Sequence, residues 1–264
     1  MSLSQNAKRK CYHYIVTCLP IATVLLAILT TIISFTVAIK FEIIAAGYLP
    51  FISEIGNNKP QSSILTFGLS LSAILTFAVI LIRFLQVKHF FITRQFENIS
   101  SFVAGALLVF GNFLVISFQL SSHTVIHYFG ATLYFLGTFF YCILQTKISY
   151  HNAKRYLFLT RLCISISMFL FGFLFALFLL PSMKVLNEKH RVAEAAEWCF
   201  LAVNMIFILT FVVDFWNIIP VLTIKKNLSR SYEEIKEEDY DIILETNVQS
   251  SAHITCDNPY LVVT

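Results

Sequence analysis

The chain has 264 residues, of which 57% are hydrophobic and only 13% are charged, and its mean hydropathy is +0.75. Soluble domains carry about 25% charged residues, so this composition excludes a soluble domain and predicts a helical protein that crosses a membrane several times. The formal net charge of +4 does not indicate nucleic-acid binding, because the basic residues flank apolar segments instead of forming one patch.

Six apolar segments follow one another between residues 14 and 219, and each is long enough to span a bilayer. Because backbone polar groups in hydrocarbon must bond to one another, each segment is predicted to be a helix. The first segment has about 25 residues, more than the roughly 7–15 of a signal-peptide core, which predicts an uncleaved span. The predicted spans cover about residues 14–39, 63–83, 99–119, 125–146, 161–181 and 194–219.

The basic residues predict how the chain is oriented. Of the 19 Lys and Arg, 14 lie in residues 1–13, in the second and fourth loops and in the tail, residues 220–264. By the positive-inside rule these parts are cytosolic, so the long first loop, residues 40–62, is luminal. No cysteine lies in a predicted luminal loop and none has metal-ligand spacing, so neither a luminal disulfide framework nor a metal site is expected.

Charged side chains inside apolar spans are costly and point either to internal pairing or to function. Arg83, Arg161 and Asp214 lie near the predicted cytosolic helix ends. Two interpretations remain for them: a structural ion pair that involves Asp214, or a direct functional role. At the opposite end, Glu194 and Glu197 begin span six, where a helix N-terminus favours carboxylates.

Polar residues of spans three and four form a second candidate group. Asn112 and Gln119 are seven residues apart and are expected to bond to a neighbouring helix. His123 and His127 are four residues apart, a spacing that fits an interface histidine, a pH-sensitive site or, with a third ligand, a metal. A transporter would need Asn112, Gln119 and His127 to line a wet cavity.

The tail contains eight of the chain's 15 carboxylates and is predicted to be disordered and cytosolic. Three of its tetrapeptides have a tyrosine followed three residues later by a bulky apolar residue. Such segments can add as an extended strand to the groove of a clathrin adaptor, which predicts endolysosomal sorting, with adaptors or signalling proteins as partners. The alternative is a solvated acidic tail. The tetrapeptides begin and end at Tyr232 and Ile235, Tyr240 and Ile243, and Tyr260 and Val263.

Short motifs then recur in a fixed order along the spans. The first loop contains Pro50-Phe-Ile-Ser-Glu-Ile-Gly56, span three ends at Gln119, span four opens with Val125-Ile-His-Tyr-Phe-Gly130, and span six carries Glu197-Trp198. In this order the motifs resemble the six-span family of the damage-regulated autophagy modulator (DRAM) and its relatives, although Glu54 replaces the family's usual Asp. The matching positions are Pro50, Ser53, Glu54, Gly56, Pro60, Gln119, His127, Gly130, Glu197, Trp198 and Asp214.

The resemblance implies an all-α bundle of six transmembrane helices, both termini cytosolic, that regulates autophagy and lysosome function without catalysis or a cofactor. It implies lysosomal or endosomal membranes, with plasma membrane and Golgi or ER as alternatives, and membrane lipids as partners. A sister branch of the family implies a different role, as an accessory factor in GPI-anchor lipid remodelling or in phosphoinositide organisation at the plasma membrane. For that role Glu54, His127 and Glu197 would form a luminal polar cluster.

Overall fold

A computed structural model describes residues 3–90, 92–150, 155–179, 190–216, 218–226 and 240–248. In these residues six helical segments are long and apolar enough to cross a membrane, which confirms the predicted six-span helical fold of an integral membrane protein. The segments are α1 (Leu3–Lys40), α3 (Gln61–Phe90), α4 (Gln95–Ser117), α5 (Thr124–Tyr150), α6 (Arg155–Leu179), and α7 (His190–Leu209) with α8 (Phe211–Trp216). A short helix, α2 (Ile52–Ile55), lies in the first loop, and a single 3₁₀ turn, Ile92–Arg94, precedes α4.

Contacts divide the chain into two units, of which the larger, Cys18–Val212, is called the bundle unit below. Within it, α4 packs between α3 and α5, α5 also packs on α6, and α6 packs on α7. The hydroxyl of Ser72 in α3 donates to the Thr23 carbonyl of α1 at 3.1 Å, which joins α1 to the bundle. Neighbouring helices are therefore mostly neighbours in sequence, as short loops require.

Small residues allow α4 and α5 to approach closely. A Cβ on Gly111 would lie 2.4 Å from the Tyr134 nitrogen, and one on Gly137 would lie 2.5 Å from the Leu108 nitrogen. Because these neighbours are backbone atoms, no side-chain rotation could relieve the overlap. The two helices are thus in backbone contact, which is how dispersion forces and small residues associate helices in lipid.

Two arginines lie inside the bundle unit instead of extending to water, and both are 0% exposed. The Arg83 side chain donates to the amide oxygens of Gln86 and Gln145, at 2.8 and 3.0 Å. The Arg161 Nε donates to the Thr210 hydroxyl at 2.9 Å, and its guanidinium lies 4.6 Å from the ring centroid of Phe211. Hydrogen bonds and ring contacts therefore offset the cost of burying these charges.

The smaller unit comprises the described parts of Met1–Thr17 and Val213–Thr264. Here the start of α1 contacts α8, since the Thr17 hydroxyl donates to the Phe215 carbonyl at 3.4 Å and the rings of His13 and Trp216 meet edge on. Asp214 of α8 is buried.

The tail differs from the expectation of disorder in two described segments. Two strands, β1 (Ile218–Lys226) and β2 (Tyr240–Val248), form an antiparallel pair in which Ile218 is opposite Val248 and Lys226 is opposite Tyr240. Both segments contain several Ile, Val and Thr residues, which favour strands. The high number of acidic residues in the whole tail conceals this local preference. The other predicted sorting residues, Tyr232, Ile235, Tyr260 and Val263, lie outside the described residues.

Candidate functional site

The first loop folds back onto the ends of the helices. Ile55 of α2 is fully buried and packs in one cluster with Ala38 and Ile44. Leu65, from the start of α3, belongs to the same cluster, and the Trp198 ring packs against it. Apolar contacts therefore anchor the loop to the helix ends.

Two hydrogen bonds then attach the loop to α7. The Trp198 indole Nε1 donates to the Pro50 carbonyl at 2.8 Å, and the Ile52 backbone N–H donates to Glu197 Oε2 at 2.8 Å. Ile52 begins α2, so the Glu197 carboxylate satisfies an N–H that a helix leaves without an internal partner. We call the contact made by Tyr48, Pro50, Ile52, Glu54, Glu194, Glu197 and Trp198 the loop clasp.

Tyr48 adds a third link from the loop to α7. Its hydroxyl donates to Glu194 Oε1 at 2.7 Å and lies 3.4 Å from Glu54 Oε2. Burial, followed by the hydrogen bond to Glu194, raises the pKa of the Tyr48 phenol above its ordinary value of 10.0. The phenol therefore stays protonated, and remains a donor, throughout the physiological pH range.

The clasp brings carboxyl groups together in a poorly hydrated place. Glu194 is only 1% exposed, and its second oxygen, Oε2, has no hydrogen-bond partner in the described part of the chain. Within the same described residues, neither Glu194 nor Glu197 forms a salt bridge. The carboxylates serve as hydrogen-bond acceptors that fix the loop, an arrangement that positions backbone and does not resemble a nucleophile with its base.

A cavity of about 500 Å³ lies directly behind the clasp. Ile52 and Trp198 line one end of it, and the rest of the lining comes from α1, α3, α4, α5 and α7. Asn204 of α7 donates to the Tyr134 hydroxyl of α5 at 2.9 Å within this lining. Two residues of the clasp, Ile52 and Trp198, thus form part of the cavity lining.

The predicted polar cluster is only partly assembled. Glu54 and Glu197 both belong to the clasp, whereas His127 is buried at the start of α5 and bonds through Nδ1 to the Phe118 carbonyl at 2.8 Å. Because a carbonyl only accepts, Nδ1 carries the proton. Among the described residues, no group of three His, Cys, Asp or Glu side chains has an arrangement that could hold a metal.

The three residues that a transporter would need do not line the cavity together. Asn112 lines it, but Gln119 and His127 do not. Within the described chain the Asn112 amide bonds to no neighbouring helix, contrary to the expected interface role. Most of the lining is aliphatic, so the cavity is not the wet path that this interpretation requires.

The remaining motif positions have structural roles near the clasp or away from it. Ser53 lies in α2, Gly56 ends α2, and the Lys59–Pro60 peptide bond is cis just before α3. Gly130 packs against Leu114 and the Gly111 backbone, whereas Asp214 belongs to the smaller unit.

Three site residues were not identified from sequence. Tyr48, Tyr134 and Asn204 match no motif, and each acts through a partner that is distant in the chain. Asn204 in an apolar span was a detectable signal, because an amide in hydrocarbon needs a partner. Tyr48 in a loop gave no such signal.

The family model described as "Frag1/DRAM/Sfk1/Cwh43P N-terminal domain" matches residues 15–218, which span all six helices. The chain belongs to this family. The resemblance expected from the motifs is thereby confirmed, and the clasp joins four of the family-motif positions: Pro50, Glu54, Glu197 and Trp198.

Several curated relatives of this family member bear autophagy names. "DNA damage-regulated autophagy modulator protein 2" of Rattus norvegicus is 29% identical over 237 residues, covering 80% of this chain and 86% of the relative. "DNA damage-regulated autophagy modulator protein 1" of Homo sapiens is 30% identical over 191 residues, covering 65% and 79%. "Modulator of macroautophagy TMEM150B-A" of Xenopus laevis is 28% identical over 173 residues, covering 64% and 72%. No solved structure shows a significant match.

Proposed function

We propose that this protein is a non-enzymatic, multi-pass membrane regulator of autophagy, and that the clasped first loop is its functional surface. The observation that supports this most directly is that family-motif residues from the loop and from α7 meet in one contact. The relatives that carry these names are modulators of autophagy and not enzymes by name. A loop held by three independent hydrogen bonds presents a defined surface, so a partner that binds it does not have to order it first.

In the proposed orientation both termini are cytosolic, and the clasp faces the lumen of a lysosome or endosome. The excess of Lys and Arg on the other side of the membrane supports this orientation. The tail supplies sorting. The Tyr240 tetrapeptide lies in β2 and is already extended, which is the conformation that an adaptor groove accepts.

The sorting step is tested by imaging the tagged full-length protein. Replacing Tyr232, Tyr240 and Tyr260 with Ala should move it from endolysosomal membranes to the cell surface. A matched variant, with Ala at Tyr128, an exposed tyrosine of α5, controls for loss of tyrosine as such. An unchanged location of the triple variant would contradict the sorting step and leave the autophagy role to its own test.

The regulatory role is tested in cells that lack the protein. Autophagic flux, measured as lysosome-dependent turnover of autophagosome membrane markers, should fall in these cells and recover when the wild-type chain is re-expressed. Lipidomics of the same cells separates the second candidate, a GPI-anchor remodelling accessory. That candidate predicts altered GPI lipids before any change in flux, and such an order of events would contradict our proposal.

A further inference from the structure

The cavity behind the clasp has the character of a ligand site. Its volume of about 500 Å³ lies within the roughly 300–1,000 Å³ typical of small-molecule pockets. An apolar space of this size inside a membrane protein is filled most favourably by apolar atoms, because water would find few partners there. No Lys, Arg, His, Asp or Glu side chain lines it. We propose that the cavity binds one uncharged membrane lipid whose small head group carries a hydroxyl or amide.

The absence of charge in the lining decides against phospholipids. A phosphate or carboxylate in this cavity would lose its hydration and meet no basic side chain, which costs several kcal/mol or more. The aliphatic lining from α1, α4 and α7 instead matches a hydrocarbon body. An uncharged lipid is therefore the occupant that the lining favours.

A few polar groups are placed to hold a head group. Asn112 lines the cavity, and its amide has no hydrogen-bond partner in the described part of the chain. Asn204 uses its NH₂ group on the Tyr134 hydroxyl, which leaves its own carbonyl oxygen and the Tyr134 hydroxyl proton for a ligand. The hydroxyls of Thr23, Thr31 and Thr76 donate instead to carbonyls one turn back in their own helices. Donors and acceptors that remain thus come from α4, α5 and α7.

The cavity also has an opening on the side that faces lipid. Ile28 and Ile32 of α1 and Ala202 and Ile206 of α7 line the cavity and are exposed on the outside of the bundle. α1 and α7 meet at Phe35 and Trp198, whose ring centroids are 6.2 Å apart, one turn along each helix from this opening. A lipid could therefore enter sideways from the bilayer and reach the clasp residues Ile52 and Trp198 inside the cavity.

The test uses the purified full-length protein in nanodiscs with photoactivatable lipid probes. Three neutral probes, a sterol, a diacylglycerol and a ceramide, distinguish the sources of the shared chemistry, and a phosphatidylserine and a phosphatidylcholine probe are the charged and zwitterionic controls. At least one neutral probe should label peptides of the lining helices α1, α3, α4, α5 or α7, and an excess of the same lipid without the photoactivatable group should compete. Equal labelling by the phospholipid probes, or labelling confined to α6, would overturn the proposal.

Two variants locate the binding to this cavity. Ala202→Trp fills the opening and should reduce specific labelling about tenfold, whereas Ala176→Trp, at an exposed position of α6 outside the lining, should leave it unchanged. Asn112→Ala should weaken competition about three- to tenfold, as expected for one lost hydrogen bond. Thermal unfolding of all three variants confirms that they fold. If Ala202→Trp is destabilised, Asn112→Ala decides, and unchanged competition in that folded variant would overturn the proposal.

Discussion

At the scale of single residues, Arg161 shows how the bundle accommodates charge. Its guanidinium bonds to the Thr210 hydroxyl and lies 4.6 Å from the Phe211 ring centroid, with no exposure. The ammonium of a lysine is compact and cannot reproduce a planar group that bonds and stacks at once. Arg161→Lys should therefore lower the free energy of unfolding by about 2 kcal/mol or more. Arg155→Lys, at the exposed start of α6, should leave thermal unfolding in detergent unchanged.

Tyr48 offers a second test at this scale. Tyr48→Phe removes the donor to Glu194, whose carboxylate is buried, so residues 49–56 should exchange amide hydrogens about tenfold faster. Tyr128→Phe, at an exposed tyrosine of α5, is the matched control and should exchange like the wild type. Unaltered exchange in Tyr48→Phe would show that apolar packing alone holds the loop.

The raised pKa of Tyr48 also predicts the pH dependence of that difference. A phenol whose folded pKa exceeds its ordinary value of 10.0 contributes fully below that value and loses its contribution only as pH rises past it. The ratio of exchange rates between Tyr48→Phe and wild type should thus stay constant from about pH 5 to about pH 8. A ratio that falls steeply as the pH rises through this range would contradict a protonated Tyr48 donor.

The sequence alone is enough to predict which residues are energetically costly, because a charged side chain within an apolar span can be read directly from the chain. Arg83 and Arg161 were recognised as expensive charges near helix ends, and the need for partners follows from the membrane alone. Their full burial was not predictable, because Gln145 and Thr210 come from other spans. The same limit explains why His127 was grouped with Glu54 although its bond goes to Phe118.

At the scale of elements, the contact between α4 and α5 sets the geometry on which the cavity depends. Gly137→Ala would place a Cβ 2.5 Å from the Leu108 nitrogen and 2.9 Å from the Ala104 oxygen, so the helices must separate. We expect a loss of about 1–3 kcal/mol, as for overpacked cores. Gly172→Ala in α6 meets only the Phe200 side chain at 3.4 Å, an ordinary contact, and should be neutral or slightly stabilising. Thermal unfolding of the two variants side by side checks this, and equal midpoints would contradict the close approach.

In the tail, the prediction of disorder was wrong for the two segments that form strands. Charge and low hydrophobicity predicted disorder for residues 220–264, but local runs such as Ile242 to Leu244 are apolar, two of these three residues are β-branched, and the run lies in β2. A compositional average over a long segment conceals a strand of nine residues. The number and approximate positions of the six long helices were predictable, because bilayer thickness and backbone hydrogen bonding leave few alternatives.

At the scale of the whole molecule, the bundle unit joins a surface feature to an internal one. Trp198 bonds to the Pro50 carbonyl in the clasp and also lines the cavity, and Ile52 likewise belongs to both. An event that displaces the loop would therefore alter the cavity, and a ligand in the cavity would support the loop. Sequence motifs identified four members of the clasp, Pro50, Glu54, Glu197 and Trp198, but not Tyr48. Nothing in one sequence indicated a cavity, because a void depends on the packing of five helices.

The most direct measurement of the central claim is autophagic flux in cells that lack the protein and re-express single variants at equal levels. Trp198→Phe keeps the ring but loses the N–H that bonds to the Pro50 carbonyl, whereas Trp216→Phe makes the same exchange at an exposed residue of α8. We expect Trp216→Phe to restore flux as the wild type does, and Trp198→Phe to fail to restore it. Full restoration by Trp198→Phe, together with accelerated exchange of the loop in that variant, would contradict the claim that the clasped loop carries the function.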